Sequence, residues 1–377
     1  MRLSHIETPC LILDKDKLDT NLATMREHLH QLGVALRPHA KTAKSIDVLN
    51  RALDGRSSGI TVSTLKEAEY FFEHGINDLL YAVGIAPVKL DRVAHLIRNG
   101  ARVTVICDTM DQARAISTRA RALGVTIPVL IEIDCDGHRS GVTVDDPLLL
   151  ELGRTFSVSE GAMFRGILTH AGESYTAIST QVIRDLARQE RDVAVACAQR
   201  LCDAGLACPV VSVGSTPTAR FAEDLSGVTE VRAGVYMFYD LFMAGLGVCQ
   251  VSDIALSVLT SVIGFEKHKG WIITDAGWMA LSRDHGTAGQ SVDQGYGLVC
   301  DVNGVPIPDL IVKATNQEHG IVAQRDGNSI DFDRFPVGTP LRILPNHACA
   351  TAAMHDRYHV VEENVEASAV WHRINGW

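Results

Sequence analysis

Several features that define other classes of protein are missing from this sequence of 377 residues. No apolar run approaches the roughly 20 residues that a membrane-spanning helix needs, so we expect no membrane partner. Lysine and arginine form no cluster, and the formal net charge is −10, which argues against a nucleic-acid partner. Residues 1–7 are short and polar and do not look like a secretory signal peptide.

Regular cysteine spacing is also absent. The nine cysteines are an odd number, and neither a pairing pattern nor an export signal accompanies them. Disulfide frameworks belong to exported proteins, whereas cytosolic proteins keep their thiols reduced. We therefore expect reduced cysteines and a cytoplasmic location.

The first 250 residues alternate strand-like and helix-like segments. The first helix shows leucine and methionine at helical spacing from Leu18 to Leu32, with Asp14 or Asp16 as its cap and Gly33 as its stop. Near-continuous apolar strands between amphipathic helices are typical of parallel strands that are buried on both faces. Eight such strands are predicted: Ala35–Ala40, Gly59–Val62, Leu79–Val83, Val103–Cys107, Val129–Asp134, Gly166–His170, Val210–Gly214 and Val231–Gly234.

Eight repeated strand–helix units favour an α/β fold built on a (β/α)₈ barrel. An open dinucleotide-binding sheet would carry a glycine-rich loop after its first strand. This chain has none there, and the first strand runs instead into His39-Ala40-Lys41-Thr42. We therefore predict a TIM-type barrel over residues 12–248.

The pattern changes near residue 250, where segments become extended and are separated by turns such as Asn303-Gly304 and Asp326-Gly327. These features predict a separate, mainly β domain over residues 249–377, to which an N-terminal strand over residues 1–11 is added. Its predicted strands are Ser257–Phe265, Gly270–Asp275, Gly297–Val302, Leu310–Ala314 and Pro340–Leu344.

Lys41 is the first candidate for chemistry. Active groups of (β/α)₈ barrels lie at the carboxyl ends of the strands, and Lys41 follows the first strand. Partial burial there can lower the pKa of a lysine and let it form a Schiff base. The alternative is a solvated lysine in a loop, which is how we interpret the nearby Lys44.

Two loops further along the chain resemble a phosphate-binding site. Barrels that bind phosphate use the loops after strands seven and eight, where backbone amides and hydroxyls can donate hydrogen bonds. The seventh strand is followed by Gly214, Ser215 and Thr216, and the eighth by Gly234 and Tyr236. A plain turn is the alternative for either loop, but two adjacent loops opposite a lysine favour a phosphate site.

Arg139 and His170 also follow predicted strands. Arg139 either forms a loop ion pair with Asp134 or Asp136 or places a fixed positive charge near a cofactor ring. An arginine does not give up its proton, so it would keep a pyridine nitrogen unprotonated and limit its capacity as an electron sink. His170 either has a structural role or points into the same barrel mouth.

The second domain contains a candidate metal site at His347 and Cys349. Residues two apart on an extended segment face the same side, so both side chains could reach one ion. Thiolate with imidazole favours Zn²⁺, with Mn²⁺ or Mg²⁺ as the alternatives. Two protein ligands would leave positions open for water and substrate.

Four motifs together resemble the D-serine dehydratase and D-threonine aldolase group of pyridoxal 5′-phosphate (PLP) enzymes. They are residues 37–42 (RPHAKT), 169–172 (THAG), 214–218 (GSTPT) and 345–349 (PNHAC), in the order of that family. The resemblance implies fold type III, with a PLP barrel, a C-terminal β domain and a homodimer. It also implies that Lys41 is the Schiff-base lysine and that His347 and Cys349 bind the metal.

One position sorts the members of this group. Its aldolases typically carry His-x-Asp, and its dehydratases carry His-x-Cys with zinc, so Cys349 makes this chain similar to the dehydratases. Residues 60–69 and 316–320 are most similar to the D-threo-3-hydroxyaspartate dehydratase branch. The resemblance implies a PLP- and zinc-dependent lyase that removes water from D-threo-3-hydroxyaspartate or D-serine and yields a 2-oxo acid and ammonia.

Three other functions stay open at this point. Retro-aldol cleavage of the same amino acids would give glycine and an aldehyde. Racemisation would need an opposing acid or base, and a non-catalytic PLP-binding protein would need only the barrel. Arg283, Arg139 and Tyr175 are candidates for binding an acidic substrate, and Tyr175 is also a candidate cofactor contact.

Overall fold

The computed structural model describes residues 2–55, 59–362 and 366–377. The chain divides into two compact units. The β unit comprises Met1–Ala23, Thr42–Val48 and Val235–Asn375, and the barrel unit comprises Thr24–Lys41, Leu49–Gly234 and Gly376–Trp377. The boundaries predicted above, 12–248 and 249–377, stay a prediction.

The barrel unit contains an eight-stranded sheet in which every pairing is parallel. An isolated parallel bridge between His39 and Thr61 joins the two end strands. All eight predicted barrel strands are confirmed, as is the fold class. The strands are β2 (Ala35–Pro38), β3 (Ile60–Val62), β4 (Asp78–Gly84), β5 (Arg102–Cys107), β6 (Ile127–Ile133), β7 (Ala162–Thr169), β8 (Val210–Val213) and β9 (Glu230–Ala233).

Helices follow most of these strands. Hydroxyl groups start several of them: Thr64, Thr109, Ser179 and Ser215 each accept a backbone N–H from the first turn. The first helix starts in the same way, because the Asp14 carboxylate accepts the N–H of Lys17. The helices are α1 (Lys15–Gln31), α2 (Ile46–Leu53), α3 (Leu65–Glu73), α4 (Leu90–Arg98), α5 (Met110–Ala122), α6 (Leu148–Ser157), α7 (Thr180–Asp203) and α8 (Thr216–Phe221).

The β unit is built on a nine-stranded, mostly antiparallel sheet. The five strands predicted for the second domain are confirmed, β1 overlaps the predicted N-terminal strand only at residues 10 and 11, and β14, β16 and β17 were not predicted. The strands are β1 (Cys10–Asp14), β10 (Leu256–Glu266), β11 (Trp271–Thr274), β12 (Leu298–Cys300), β13 (Pro306–Thr315), β14 (Gly320–Gln324), β15 (Pro340–Leu344), β16 (Arg357–Glu362) and β17 (Glu366–His372).

Three short helices belong to the same unit: α9 (Leu241–Gly245), α10 (Trp278–Leu281) and α11 (Ala348–Ala352). The strand order is β11-β14-β13-β12-β15-β10-β1-β16-β17, so β1 lies between β10 and β16.

Each unit has its own apolar core. Leu80, Ile106, Leu130 and Leu168 come from four successive barrel strands and pack together. In the β unit, residues of β1, β10 and β16 form a second cluster with Leu3. Burial of such side chains stabilises each unit by roughly 1.5–3 kcal/mol per side chain. Within the described residues, no helix has the length and apolar character needed to span a membrane.

Candidate active site

Lys41 lies in the turn that links β2 to α2, as the sequence predicted. Its side chain is exposed, so the partial burial that we expected is wrong; the two residues after it, Thr42 and Ala43, are the buried ones. The backbone N–H of Lys41 donates to Nδ1 of His39 at 3.4 Å. An exposed primary amine at the carboxyl end of a barrel strand is accessible to an aldehyde.

Two imidazoles of the barrel unit are electrically neutral. Burial lowers the pKa of His39 well below its usual value, and the positive charge of Lys41 adds to this effect. Burial also lowers the pKa of His170 to about 4, against the opposing hydrogen bond to Gly214. His170 Nδ1 lies 2.9 Å from the carbonyl oxygen of Gly214, which can only accept. His170 therefore carries its proton on Nδ1 and presents Nε2 as an acceptor.

The ion pair that we predicted for Arg139 has a different partner. Arg139 Nη2 lies 3.2 Å from Glu132 Oε1, while Asp134 accepts the backbone N–H groups of residues 136 and 137. Asp134 and Asp136 are therefore wrong as partners of Arg139. The side chain of Glu132 is buried but that of Arg139 is 62% exposed, so the guanidinium lies at the surface. Arg139 and His170 line the same small cavity.

The loop after β8 was predicted to approach a phosphate through Gly214. Gly214 has φ +132°, and a Cβ atom there would overlap the carbonyl oxygen of Arg232. Glycine is therefore required because two strands of the barrel approach closely. Ser215 and Thr216 are buried, and the Ser215 hydroxyl lies 2.9 Å from that of Thr218. Ser215 also caps α8 by accepting the N–H of Thr218.

Glu190 is a residue of this region that the sequence analysis missed. It lies on α7 with only 2% of its surface exposed. Its Oε1 accepts the backbone N–H of Ala171 and that of Gly214, both at 2.9 Å, and its Oε2 accepts the hydroxyl of Thr218 at 2.7 Å. Burial raises the pKa of Glu190, although these hydrogen bonds oppose the rise. One buried carboxyl thus joins the loops that follow β7 and β8.

The other predicted cofactor residues lie in three different places. Tyr175 lies in a short 3-10 helix, and its ring centroid is 6.1 Å from that of His170. Gly234 is buried directly after β9 in the barrel unit. Tyr236 is fully buried in the β unit, in a 3-10 helix over Val235–Met237.

His347 and Cys349 are brought together in the β unit, but on a different element from the predicted one. His347 is the N-cap of α11, and Cys349 lies in the first turn of that helix. The extended segment that we predicted is therefore wrong, because β15 ends at Leu344. The two side chains still meet, since Cys349 hydrogen-bonds to the imidazole. The sulfur of Cys349 is also 3.2 Å from the hydroxyl of Thr42.

Asp284 is the second residue that the sequence analysis missed. Its Oδ2 lies 2.6 Å from Nδ1 of His347. Burial lowers the pKa of His347, but the hydrogen bond to Asp284 and the nearby Cys349 thiol outweigh it and raise this pKa to about 11. The same hydrogen bond lowers the pKa of Asp284. A carboxylate on Nδ1 leaves Nε2 to bind a metal, which is the usual arrangement of a metal-binding histidine.

A second carboxyl group, that of Asp240, is buried and lies at the start of α11. It accepts the backbone N–H groups of Ala348 and Met243, each at 2.9 Å. Burial raises its pKa to about 6, against the opposing charge of His347. Asp240 thereby fixes the start of α11, which carries Cys349.

The donor set at His347 suits a soft divalent ion. Imidazole and thiolate are ligands that zinc prefers, and two protein ligands leave open positions. Within the described ranges, no group of three or more His, Cys, Asp or Glu side chains is arranged to hold a metal ion.

Arg283, a candidate for binding an acidic substrate, has its guanidinium 5.2 Å from the ring centroid of Trp278.

Comparisons with known proteins match the whole chain. The family model for the alanine racemase N-terminal domain matches residues 13–241, and a serine dehydratase domain model matches residues 255–361. The D-threo-3-hydroxyaspartate dehydratase of Delftia sp. HT23 is 50% identical over 100% of this chain and 99% of its own length. Its structure superposes with a TM-score of 0.96 and covers 100% of both chains.

Two further relatives are similar to this chain. The D-serine dehydratase of Dictyostelium discoideum is 32% identical over 96% of this chain and 95% of its own length. A solved structure of a D-threo-3-hydroxyaspartate dehydratase, described as a cysteine-to-alanine mutant in the metal-free form, is 49% identical with a TM-score of 0.97. That structure covers 100% of both chains.

Proposed function

This chain belongs to the family of D-serine and D-threo-3-hydroxyaspartate dehydratases, and we propose that it removes water from a D-3-hydroxy amino acid. The enamine that is formed then takes up water and gives a 2-oxo acid and ammonia. The observation that carries the proposal is the pair His347 and Cys349, with Asp284 on the far side of the imidazole ring. A thiol at position 349, where the aldolases typically have a carboxylate, favours elimination over retro-aldol cleavage.

PLP is the cofactor of this enzyme. The barrel unit offers residues that fit it: the exposed amine of Lys41, the buried hydroxyls of Ser215 and Thr216, and the partly exposed guanidinium of Arg139. When bound, PLP supplies an electrophilic ring that withdraws electrons from the α-carbon of an amino acid. Lys41 would hold the cofactor covalently, and the hydroxyls of the loop after β8 would donate to its phosphate. The other proposed cofactor contacts are Gly214, Gly234, His170, Tyr175 and Tyr236.

Lys41 has a second role in this proposal. The amine of Lys41, when it is not bonded to PLP, would take the α-proton of the substrate. The exposure of Lys41 lets its side chain exchange partners without disturbing the core. His170 stays neutral at physiological pH, because its pKa is about 4, so it accepts hydrogen bonds and adds no positive charge near Lys41.

The metal in this proposal is Zn²⁺, which Nε2 of His347 and Sγ of Cys349 would hold. Asp284 fixes the imidazole by accepting from Nδ1, and Asp240 fixes the helix start. When bound, zinc supplies a Lewis acid that makes the substrate hydroxyl a better leaving group. Mn²⁺ and Mg²⁺ suit this donor set less well, because they prefer oxygen ligands.

Product analysis tests the proposal. Purified protein, loaded with PLP and Zn²⁺, would be incubated with D-threo-3-hydroxyaspartate, D-serine and D-threonine. We expect oxaloacetate or pyruvate with stoichiometric ammonia, and the faster substrate identifies the preferred side chain. Glycine with an aldehyde would replace the proposal with an aldolase, and the absence of any product would leave a PLP-binding protein without this activity.

The assembly and the location of the enzyme are part of the proposal. We propose a homodimer in the cytoplasm that acts on a small amino acid. All nine cysteines lie in the described part of the chain and none is in a disulfide, which suits a reducing compartment. Light scattering of the purified holoenzyme should give twice the 40.9 kDa mass of one chain, and a monomer with full activity would overturn the dimer.

A further inference from the structure

Arg373 is a buried cation that belongs to no site described above. It follows β17 and has 6% of its surface exposed. Within the described part of the chain, no carboxylate lies within ion-pair distance of its guanidinium. Its neighbours are backbone carbonyls, the Asn375 side chain and the ring of Tyr358, whose centroid is 5.7 Å from the guanidinium carbon. Burying a charge without a counter-ion is costly, so this arginine lowers the stability of the β unit unless its hydrogen bonds offset that cost.

One end of the guanidinium holds the segment that follows Lys41 in the chain. Arg373 Nε donates to the carbonyl of Ala43 at 3.3 Å. The hydroxyl of Tyr358 donates to the same carbonyl at 2.7 Å and accepts from Arg373 Nε at 3.0 Å. The backbone N–H of Ile374 donates to the carbonyl of Lys44 at 2.9 Å. Two consecutive carbonyls are thus held by the strand end that carries Arg373.

The other end of the guanidinium holds the helix of the metal site. Arg373 Nη1 donates to the carbonyl of Ala352, the last residue of α11, and to that of His355 at 2.9 Å. Orphan carbonyls at a helix end need such donors, and a cation there also suits the helix dipole. Helix α11 carries Cys349, whose sulfur lies 3.2 Å from the hydroxyl of Thr42.

We propose that Arg373 is a positioning residue for the metal site. By bonding both the Ala43 carbonyl and the carboxyl end of α11, it sets the distance between the Thr42 hydroxyl and the Cys349 sulfur. The planar guanidinium can do this because its donors point in fixed, divergent directions. A lysine at position 373 keeps the charge but cannot hold both carbonyl groups in one geometry. The proposal rests on the proposed function, because it assigns Cys349 to a zinc site.

The test compares R373K with the wild type and with R357K. Arg357 is the matched control, since it lies on the neighbouring strand β16 but forms an exposed ion pair with Asp356. For each protein we would measure PLP content and absorbance, zinc affinity by chelator competition, and kcat and KM separately. Zinc affinity of R373K should fall about tenfold or more, as when other groups that orient metal ligands are removed. Its kcat should fall in parallel, while PLP content, KM and the R357K control stay near wild type.

R373K with wild-type zinc affinity and kcat would overturn the inference, and so would a wild-type protein that binds no zinc. A wild type that binds zinc but forms no 2-oxo acid would overturn the proposed function alone, because the zinc affinity of R373K would still test Arg373. Y358F provides a second variant that retains the cation and loses one bond to Ala43. It should weaken zinc binding less than R373K, and a larger loss would contradict the role given to the arginine.

Discussion

Histidine serves opposite purposes in the two units of this molecule. In the barrel unit, His170 is enclosed by protein with positive charges nearby, and burial lowers its pKa to about 4. In the β unit, His347 lies against Asp284 and Cys349, which raise its pKa to about 11 in spite of burial. The barrel therefore keeps a neutral ring that hydrogen-bonds, whereas the β unit holds a ring whose Nδ1 is fixed by Asp284 and whose Nε2 can bind a metal cation. The residue type does not reveal this difference; burial sets the pKa of His170, and the hydrogen bonds of His347 to its neighbours set that of His347.

The largest effect on turnover should come from the barrel unit, when Lys41 is replaced. Lys41→Ala should abolish turnover, since no other group would hold the cofactor covalently and take the α-proton. Zinc affinity should be unchanged, because both proposed ligands lie in the β unit. Absorbance spectra and product analysis check both expectations.

Lys44→Gln is the matched control for that variant, three residues further along the chain, and it should retain the cofactor and most of the activity. Turnover by Lys41→Ala at a rate near wild type would contradict the assignment of this lysine.

Replacing Cys349, in the β unit, should reduce activity nearly as much. Cys349→Ala removes the soft ligand, so zinc should be lost and activity with it, while the PLP content should stay at the wild-type level. Metal analysis and product formation measure the two effects. Cys202→Ala, which changes an exposed cysteine, is the control. An unchanged rate in Cys349→Ala would rule out a metal role for the thiol.

A smaller effect should follow when Asp284, the carboxylate that accepts from Nδ1 of His347, is replaced. Asp284→Asn keeps the shape but removes the charge that fixes His347, so zinc affinity and kcat should each fall about 10- to 100-fold. The control is Asp293→Asn, because Asp293 also lies near a histidine, His285, at 3.4 Å. Equal zinc affinities in wild type and Asp284→Asn would mean that Asp284 does not orient the ligand.

The smallest effect concerns stability in acid. The pKa of His170 falls from 6.5 to about 4 on folding, so the unfolded chain binds more protons between those values. Stability should therefore decline as the pH falls from 6.5 towards 4, and this residue should account for up to about 3 kcal/mol of the loss. His170→Gln cannot be protonated and should lose less stability over that interval.

Urea unfolding at pH 7 and pH 5 measures the difference, and His268→Gln, which replaces an exposed histidine, is the control. Parallel losses in the wild type and in His170→Gln would show that the ring is not held neutral by the fold.

Much of the fold could be predicted, because parallel strands buried on both faces leave continuous apolar runs that the sequence displays directly. The pair of proposed metal ligands, His347 and Cys349, could also be recognised, but the secondary structure that carries them could not. Residues two apart share a face of a strand, yet a helix N-cap and the second residue of its first turn can converge equally well, as His347 and Cys349 do.

The residues that orient the site escaped prediction for a different reason. Glu190 reaches Gly214 across 24 positions, Asp284 reaches His347 across 63, and Arg373 reaches Ala43 across 330. No motif surrounds any of them, and only the folded chain brings the partners together. Arg139 was paired wrongly because Glu132, its partner, lies inside the strand β6, where we sought no partner for a loop residue.

Glu190 has a consequence for anyone who re-engineers the barrel. The Glu190 carboxyl accepts hydrogen bonds from Ala171 after β7 and from Gly214 and Thr218 after β8. The positions of the two loops are therefore coupled. If only one loop were replaced by that of a relative, the other loop would still be bonded to Glu190, whose position suits the original pair of loops. Transplants should therefore move both loops and the middle of α7 together, as one cassette.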